Sequence, residues 1–335
     1  MAGNLHRFLR LFSSLYDEPR RQTRSSCRDN CGLTWTAARL KCPFPEAAQT
    51  FGYVTLQCRY ERFPGGSSSG SVTLACPEVP RSPPTNLTFA HCGPPLHTNY
   101  DRPAVIVEFV EYYRLMGVTK FYEYDFDTSK NTKAVLNYYK KEGIMEVTNW
   151  NLPDVVGRGI HYFGQIALLY DCLLKSSLTH DYTVFSDFDE QFATAKVPGT
   201  FESIMNSGRI DCSYVRSALM YPKPRRVDRI EGGNPLLRSA KRIFRETEIF
   251  KSGARSKYIC RGRLIDVPLI HYVRKFKFKD DVRLDEADPE NTLLLHFRSL
   301  PHELVNITAE TRTLVHVASL KRNVFQIWKN IFGSA

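Results

Sequence analysis

Residues 182–190 read Tyr-Thr-Val-Phe-Ser-Asp-Phe-Asp-Glu, an apolar run that stops abruptly at three carboxylates, Asp187, Asp189 and Glu190. A short run of strand-formers of this kind marks a buried β-strand. When such a strand is parallel and central, its carboxyl end opens on the crevice where α/β folds bind ligands. Asp187 and Asp189 are two apart, so on an extended chain they point the same way. Carboxylates held that close repel unless a cation or a proton lies between them. An oxygen-seeking divalent ion, Mn²⁺ or Mg²⁺, meets that need and also binds phosphate. Such an ion neutralises the charge that builds on a diphosphate as its bond to a sugar breaks. Histidine is a common further ligand. His271 (in Leu-Ile-His-Tyr) and His296 (in Leu-Leu-His-Phe) each follow an apolar run, and the strand before His296 is the cleaner.

Sugar transfer also requires that an acceptor hydroxyl lose its proton, and inverting chemistry uses a carboxylate base. Asp211, Asp228, Glu231, Glu246, Glu248 and Asp266 all follow the acidic strand, and spacing alone does not rank them. Glu248 is the working choice. Asp125 and Asp127 end an earlier strand, where they either meet a ribose or turn the chain. Gln165 and Asp171 lie on the helix that feeds the acidic strand and either face a donor or pack and cap. Arg298 and Arg274 carry planar forks suited to a diphosphate, with a surface role as the alternative. Trp150 and the pairs Tyr112, Tyr113 and Tyr138, Tyr139 read chiefly as core.

These residues need a scaffold. Leu87–Cys92 is the first expected strand. Val105, Phe109, Tyr112 and Met116 then mark one helical face, closed by Gly117. Val118–Asp125 is a second strand, a helix with Val135, Tyr138 and Tyr139 ends near Gly143, and residues 144–148 form a third. Ile160, Phe163, Ala167, Tyr170 and Leu174 mark another helix before the acidic strand. Strand and helix alternate, as in right-handed crossovers of a mostly parallel, Rossmann-like sheet with flanking helices. Further strands are expected near 211–217, 264–272 and 292–297, and a terminal helix near 319–331.

The domain plan is a basic, unordered stretch at 1–35, a small Cys-rich β module at 36–85 and an α/β domain at 86–335. In the module, Tyr53–Leu56 and Val72–Leu74 are expected to pair around a flexible Gly/Ser loop at 64–71. The chain has nine cysteines without a Cys-x-x-Cys pair, which favours disulfides in an oxidising compartment over zinc. Two Asn-x-Thr acceptors, at Asn86 and Asn306, point the same way. The net charge of +11 is concentrated at the N-terminus and near 223–245. Without aromatic–basic interleaving in a recognisable module, that charge does not make a nucleic-acid binder.

The blocks Glu108–Asp125, Tyr138–Gly143, Trp150–Pro153, His161–Gln165, Tyr170–Cys172 and Ser186–Glu190 together resemble glycosyltransferase family 92. Ser256–Ile259, Ile270–Tyr272 and Leu295–Arg298 continue the match in order, so that it spans roughly residues 85–300. The resemblance implies a GT-A type nucleotide-sugar fold and metal-dependent transfer of a sugar, often galactose from UDP-galactose, onto a glycan hydroxyl. By the same resemblance the partners are a nucleotide-sugar donor and a glycan acceptor. The setting is the lumenal side of Golgi-type membranes, reached through a short N-terminal anchor that is not seen in this sequence. The segment 191–197 departs from the family pattern. It motivates an alternative reading, a non-catalytic glycan- or nucleotide-binding paralogue.

Overall fold

The computed structural model describes residues 53–63, 66–75, 86–152, 159–221, 237–298 and 306–333. Near the N-terminus, β1 (Tyr53–Phe63) and β2 (Gly66–Ala75) form an antiparallel hairpin that pairs Leu56 with Val72. Gly66–Ser71 is therefore strand, where the sequence suggests a loop: backbone pairing with β1 overrides the weak strand preference of Gly and Ser. The expected unordered stretch at 1–35, the disulfides of the module, and the candidate bases Asp228 and Glu231 lie outside the described residues.

The main domain runs β3 (Phe89–Leu96), α1 (Pro103–Leu115), β4 (Val118–Asp125), α2 (Lys130–Lys141), β5 (Met145–Asn149), α3 (Gln165–Thr179) and β6 (Tyr182–Phe185). It continues with β7 (Glu190–Thr194), α4 (Phe201–Ile204), β8 (Cys212–Val215), β9 (Ser217–Tyr221), α5 (Arg238–Lys241), β10 (Phe244–Glu246) and β11 (Lys257–Cys260). Last come β12 (Ile265–Pro268), β13 (Val273–Phe276), β14 (Leu284–Glu286), β15 (Thr292–Phe297), β16 (Ile307–Ala309) and α6 (Val317–Phe332).

A seven-stranded sheet has the order β14-β8-β11-β6-β3-β4-β5, which puts the acidic strand at its centre. β3, β4, β5 and β6 are parallel, as expected, but β11 is antiparallel to both β6 and β8. The architecture is thus α/β with a mixed, mostly parallel sheet and flanking helices. Helices α1, α2 and α6 cover one face, where Ile106, Phe109, Val110 and Tyr113 repeat at helical spacing over Tyr182 and Val184. Helix α3 covers the other face through Leu168, Leu169, Cys172 and Leu173. Pro103 opens α1 with its φ already set, and the Ser129 hydroxyl caps α2 by accepting from Thr132 N at 3.2 Å.

Helix α3 starts at Gln165, not at Ile160. Tyr162, Phe163 and Gly164 all have left-handed backbones, with φ of 48°, 53° and 77°, and a helix cannot run through them. The strand expected at 211–217 is two strands in different sheets. β9 joins a five-stranded sheet of order β16-β10-β9-β15-β7. Residues 264–272 hold only β12, which pairs with β13 and leaves His271 in the turn between them. Segment 191–197 is no polar loop at its start: β7 is buried along its length and runs away from the acidic residues.

Two disulfides fasten the domain. Cys92 on β3 joins Cys172 on α3, and Cys212 on β8 joins Cys260 on β11. Cys92 therefore belongs to the α/β domain and not with the early cysteines of the module.

At the other end of the central sheet from the acidic residues, Asp211 is clamped by Arg261 at 2.9 Å and Arg283 at 2.7 Å. The Arg283 hydrogen bonds, against the opposing effect of burial, hold its pKa down at about 2. This partnership removes Asp211 from the list of bases. A depressed carboxylate stabilises the fold above its unfolded pKa of roughly 3.9, and that stability is lost as pH falls through the folded value. We expect Asp211→Asn to cost about 1 kcal/mol at neutral pH, allowing for the exposure of Arg283. In urea unfolding, the gap to the parent should close between about pH 4 and pH 2. A gap independent of pH would contradict this account.

Candidate active site

The acidic residues lie in a turn that links the two sheets. β6 ends at Phe185 in the seven-stranded sheet, and β7 begins at Glu190 in the five-stranded one. The turn closes twice: Glu190 N donates to Asp187 O at 3.0 Å, and Asp187 N donates to Glu190 Oε2 at 2.8 Å. The backbone is therefore not extended here, as the spacing suggests, and the turn itself directs the side chains. Phe188 points inward and packs edge-on against Phe109, with ring centroids 5.0 Å apart. The side chains of Asp187 and Asp189 keep 32% and 33% of their exposure, whereas Glu190 keeps 2%. The two aspartates thus meet solvent and the glutamate is interior.

Three basic groups hold the turn. The register of β11 on β6 pairs Tyr258 with Phe185, so Lys257 comes alongside the turn. Its buried ammonium lies 2.9 Å from Asp187 Oδ2 and 3.4 Å from Glu190 Oε2. Burial disfavours this charge, but the two carboxylates outweigh it and raise the lysine pKa. Burial raises the pKa of Glu190, Lys257 opposes, and Asp187 and Asp189 add to the rise. His296, the residue of β15 paired with Glu190, puts Nε2 3.2 Å from Asp189 Oδ2. Its Nδ1 is buried without a hydrogen bond, 3.8 Å from Glu190 Oε1. Burial works against ionising Asp189, but His296, Arg298 and Arg238 prevail and its pKa is lowered. Arg238 also donates to the Phe188 carbonyl at 2.8 Å and pairs with buried Glu108 at 3.2 Å.

Beneath the turn runs a buried polar chain. Glu123 Oε1 meets His91 Nδ1 at 3.1 Å, His91 Nε2 meets Ser186 Oγ at 3.1 Å, and the Tyr113 hydroxyl meets the same Oγ at 2.8 Å. It ties β4, β3 and α1 to the residue just before Asp187. A Cβ on Gly93 would stand 1.8 Å from Glu123 Oε2, so a larger residue there would displace the Glu123 carboxylate from this chain.

The expected site residues divide. Gln165, at the start of α3, lines a small cavity of about 10 Å³ with Gly93, Ser186, Asp187 and Lys257. Arg298 follows Phe297, whose N–H donates to Asp189 O at 2.8 Å. His271 lies in the field of Lys257 and Asp187, but its Nδ1 is turned to Ser256 O at 3.1 Å. Burial, followed by the Lys257 charge, lowers its pKa. Asp125 ends β4 as expected and accepts from Thr128 Oγ1 at 2.9 Å. Asp171 does not turn to the site: it accepts from Tyr124 at 2.8 Å and pairs with Lys175 at 2.8 Å.

Glu248 is not brought here. In the five-stranded sheet His296 pairs with Glu190 and with Leu219, the middle residue of β9, while Phe250 N donates to Ser217 O at the start of β9. Glu248 is exposed in the loop after β10, a strand that β9 separates from β15. The other described candidates are also engaged, Glu246 by Tyr221 and Asp266 by Lys275. Trp150 is core, as expected: it is 2% exposed and donates to Phe163 O at 2.7 Å.

In ligand type the turn suits a divalent cation. Asp187, Asp189 and His296 are hard-oxygen and imidazole donors of the kind Mn²⁺ accepts, and the two aspartates are part-exposed. Among the described residues, no three His, Cys, Asp or Glu side chains already form a metal-binding group. To ligate through Nε2, His296 would carry its proton on Nδ1, towards Glu190.

The model of glycosyltransferase family 92 matches residues 88–329, and the chain belongs to that family. A β-1,4-galactosyltransferase of Caenorhabditis elegans is 35% identical over 116 residues, which are 34% of this chain and 27% of the relative's own length. Among solved structures, glucosyl-3-phosphoglycerate synthase of Mycobacterium tuberculosis, in complex with Mn²⁺, UDP and phosphoglyceric acid, gives a TM-score of 0.32 at 14% identity. That alignment covers 75% of this chain and 80% of the other. Mannosyl-3-phosphoglycerate synthase of Rubrobacter xylanophilus gives 0.32 at 12% identity, covering 73% of each chain.

Removing Lys257 would leave Asp187 and Glu190 without their shared cation. We expect Lys257→Met to lower stability by about 3–5 kcal/mol, as breaking one side of a buried ion pair does. An unchanged urea midpoint would contradict the role given to this lysine.

Proposed function

We propose that this chain transfers a hexose, galactose from UDP-galactose, onto a glycan hydroxyl with inversion at the anomeric carbon. The observation that carries the reading is the acidic turn. It stands at the carboxyl end of the central strand, with two part-exposed aspartates and Asp189 held ionised. Family membership supports sugar transfer, and the partial match to a galactosyltransferase supports galactose.

In the reaction the acceptor oxygen bonds to the anomeric carbon as the carbon–oxygen bond to UDP breaks. UDP leaves with the bonding electrons, and the acceptor proton passes to a base. Asp187, Asp189 and His296 would hold a divalent cation, Mn²⁺ by ligand type, which supplies charge stabilisation to the departing diphosphate. Arg298 adds a planar cation on the same side. Lys257 and Arg238 fix the turn so that its carboxylates need little rearrangement when the donor arrives. Gln165 lies beside Asp187, within reach of a donor.

The two disulfides suit an oxidising compartment, and we place the protein in the lumen of the Golgi or another secretory-pathway membrane system. Among the described residues, no helix is long and apolar enough to cross a membrane. Membrane association through a segment outside them is part of the same proposal.

UDP release from a panel of UDP-sugars, with and without Mn²⁺, tests the function. We expect release with UDP-galactose that depends on the metal. Asp189→Asn should reduce it more than about a hundredfold while the circular dichroism spectrum is retained. Full activity in that variant would overturn the assignment.

A further inference from the structure

Two loops with left-handed backbones meet beside the acidic turn. One follows β3, with Thr98 at φ 60° and Asn99 at φ 47°. The other precedes α3, with Tyr162 at φ 48° and Phe163 at φ 53°. Bulky residues rarely adopt these angles, and each costs on the order of 1–3 kcal/mol unless its surroundings impose it. The imposing contacts are visible. The His97 ring stacks on Phe163 with centroids 4.1 Å apart and meets Tyr162 edge-on at 5.8 Å. Phe163 packs on Phe126 at 5.1 Å, and its carbonyl accepts from Trp150. The result is an aromatic ring held out from the protein: Tyr162 is 56% exposed, although its neighbour Phe163 is half-buried.

The position of this ring gives it meaning. β3 lies next to β6, with Cys92 paired to Phe185, so the loop after β3 borders the acidic turn. Gln165, three residues after Tyr162, shares a cavity with Asp187 and Lys257. Consistent with that placement, burial first and then the charges of Asp187 and Asp189 raise the Tyr162 pKa, while Arg298 and Lys257 oppose. In a nucleotide sugar the pyranose is bonded directly to the diphosphate, whereas the base lies a ribose further away. A ring in the field of the diphosphate-holding groups can reach the sugar bonded to that diphosphate.

We propose that Tyr162, presented by the left-handed 162–164 backbone and braced by His97 and Phe163, is a stacking platform for the apolar face of a pyranose ring. This rests on the glycosyltransferase reading for its reaction, but not for its binding test. The sugar is either the hexose of the donor or that of the acceptor, since both pass the same point at the anomeric carbon.

The test is saturation-transfer NMR on the full chain and on Tyr162→Gly, Tyr162→Phe and Tyr162→Trp, using UDP, UDP-galactose and methyl β-D-galactopyranoside as probes. Glycine accepts φ near 48° without strain, so Tyr162→Gly should unfold at an equal or higher temperature than the parent. It should nevertheless weaken sugar binding by about tenfold, the scale of one aromatic contact. UDP affinity should change less than about twofold, and Phe and Trp should restore sugar binding. A loss confined to UDP-galactose assigns the platform to the donor sugar; a loss confined to the methyl galactoside assigns it to the acceptor. Unchanged binding of both sugars in Tyr162→Gly overturns the proposal. If UDP does not bind the parent chain, the nucleotide reading fails, and the methyl galactoside result still decides the platform.

Discussion

One buried ammonium sets the arrangement of the site. Lys257 reaches from β11 to Asp187 and Glu190 at the point where the chain leaves one sheet for the other. It is the cation that Asp187 and Glu190 share, and burial of Glu190 still raises the glutamate pKa against it. Asp187 stays part-exposed, and Glu190 is held inside, where it closes the turn on the Asp187 N–H. The antiparallel register of β11 on β6 is what delivers the lysine, so the one departure from a parallel sheet at this strand serves the site directly.

The rest of the surroundings favour one turn conformation. Phe188 anchors it in the α1 core, and Arg238 takes its carbonyl while paired with buried Glu108. The chain Glu123–His91–Ser186–Tyr113 fixes the residue before it. Preorganisation of this kind matters for phosphate-leaving chemistry, because carboxylates that must reorient when charge develops lose most of their advantage. His296 brings the second sheet into the same system through Asp189. The site is therefore a joint between sheets, and distortion of either one would reach it.

Much of this scaffold is legible in the sequence. β4 occurs at Val118–Asp125 and β15 at Thr292–Phe297, as read from apolar runs with clear ends. β6, α1 and α6 lie within a few residues of their expected bounds. Most of the misreadings depend on strand order or on a backbone angle that residue type does not announce. Phe163 fits a helical apolar pattern, so nothing local shows that it and Tyr162 are left-handed. Glu248 follows the acidic strand in sequence, but strand order sets β9 between β10 and the strand of His296. Asp171 has the right type on the right helix, yet Lys175 one turn on claims it. Lys257 lies 70 residues from Asp187 and belongs to one of the quoted family blocks. Its pairing depends on an antiparallel strand that periodicity cannot reveal, and Arg238 reaches the turn from a basic stretch that reads as solvated surface.

The central claim is that the turn at 187–190 joins a divalent cation to a donor's diphosphate. Isothermal titration of UDP into the chain, with Mn²⁺ present and then with Mn²⁺ removed by chelator, addresses it most directly. The account predicts one UDP site whose affinity falls at least about tenfold without the metal. Equal UDP affinity in both conditions, or none in either, would contradict it.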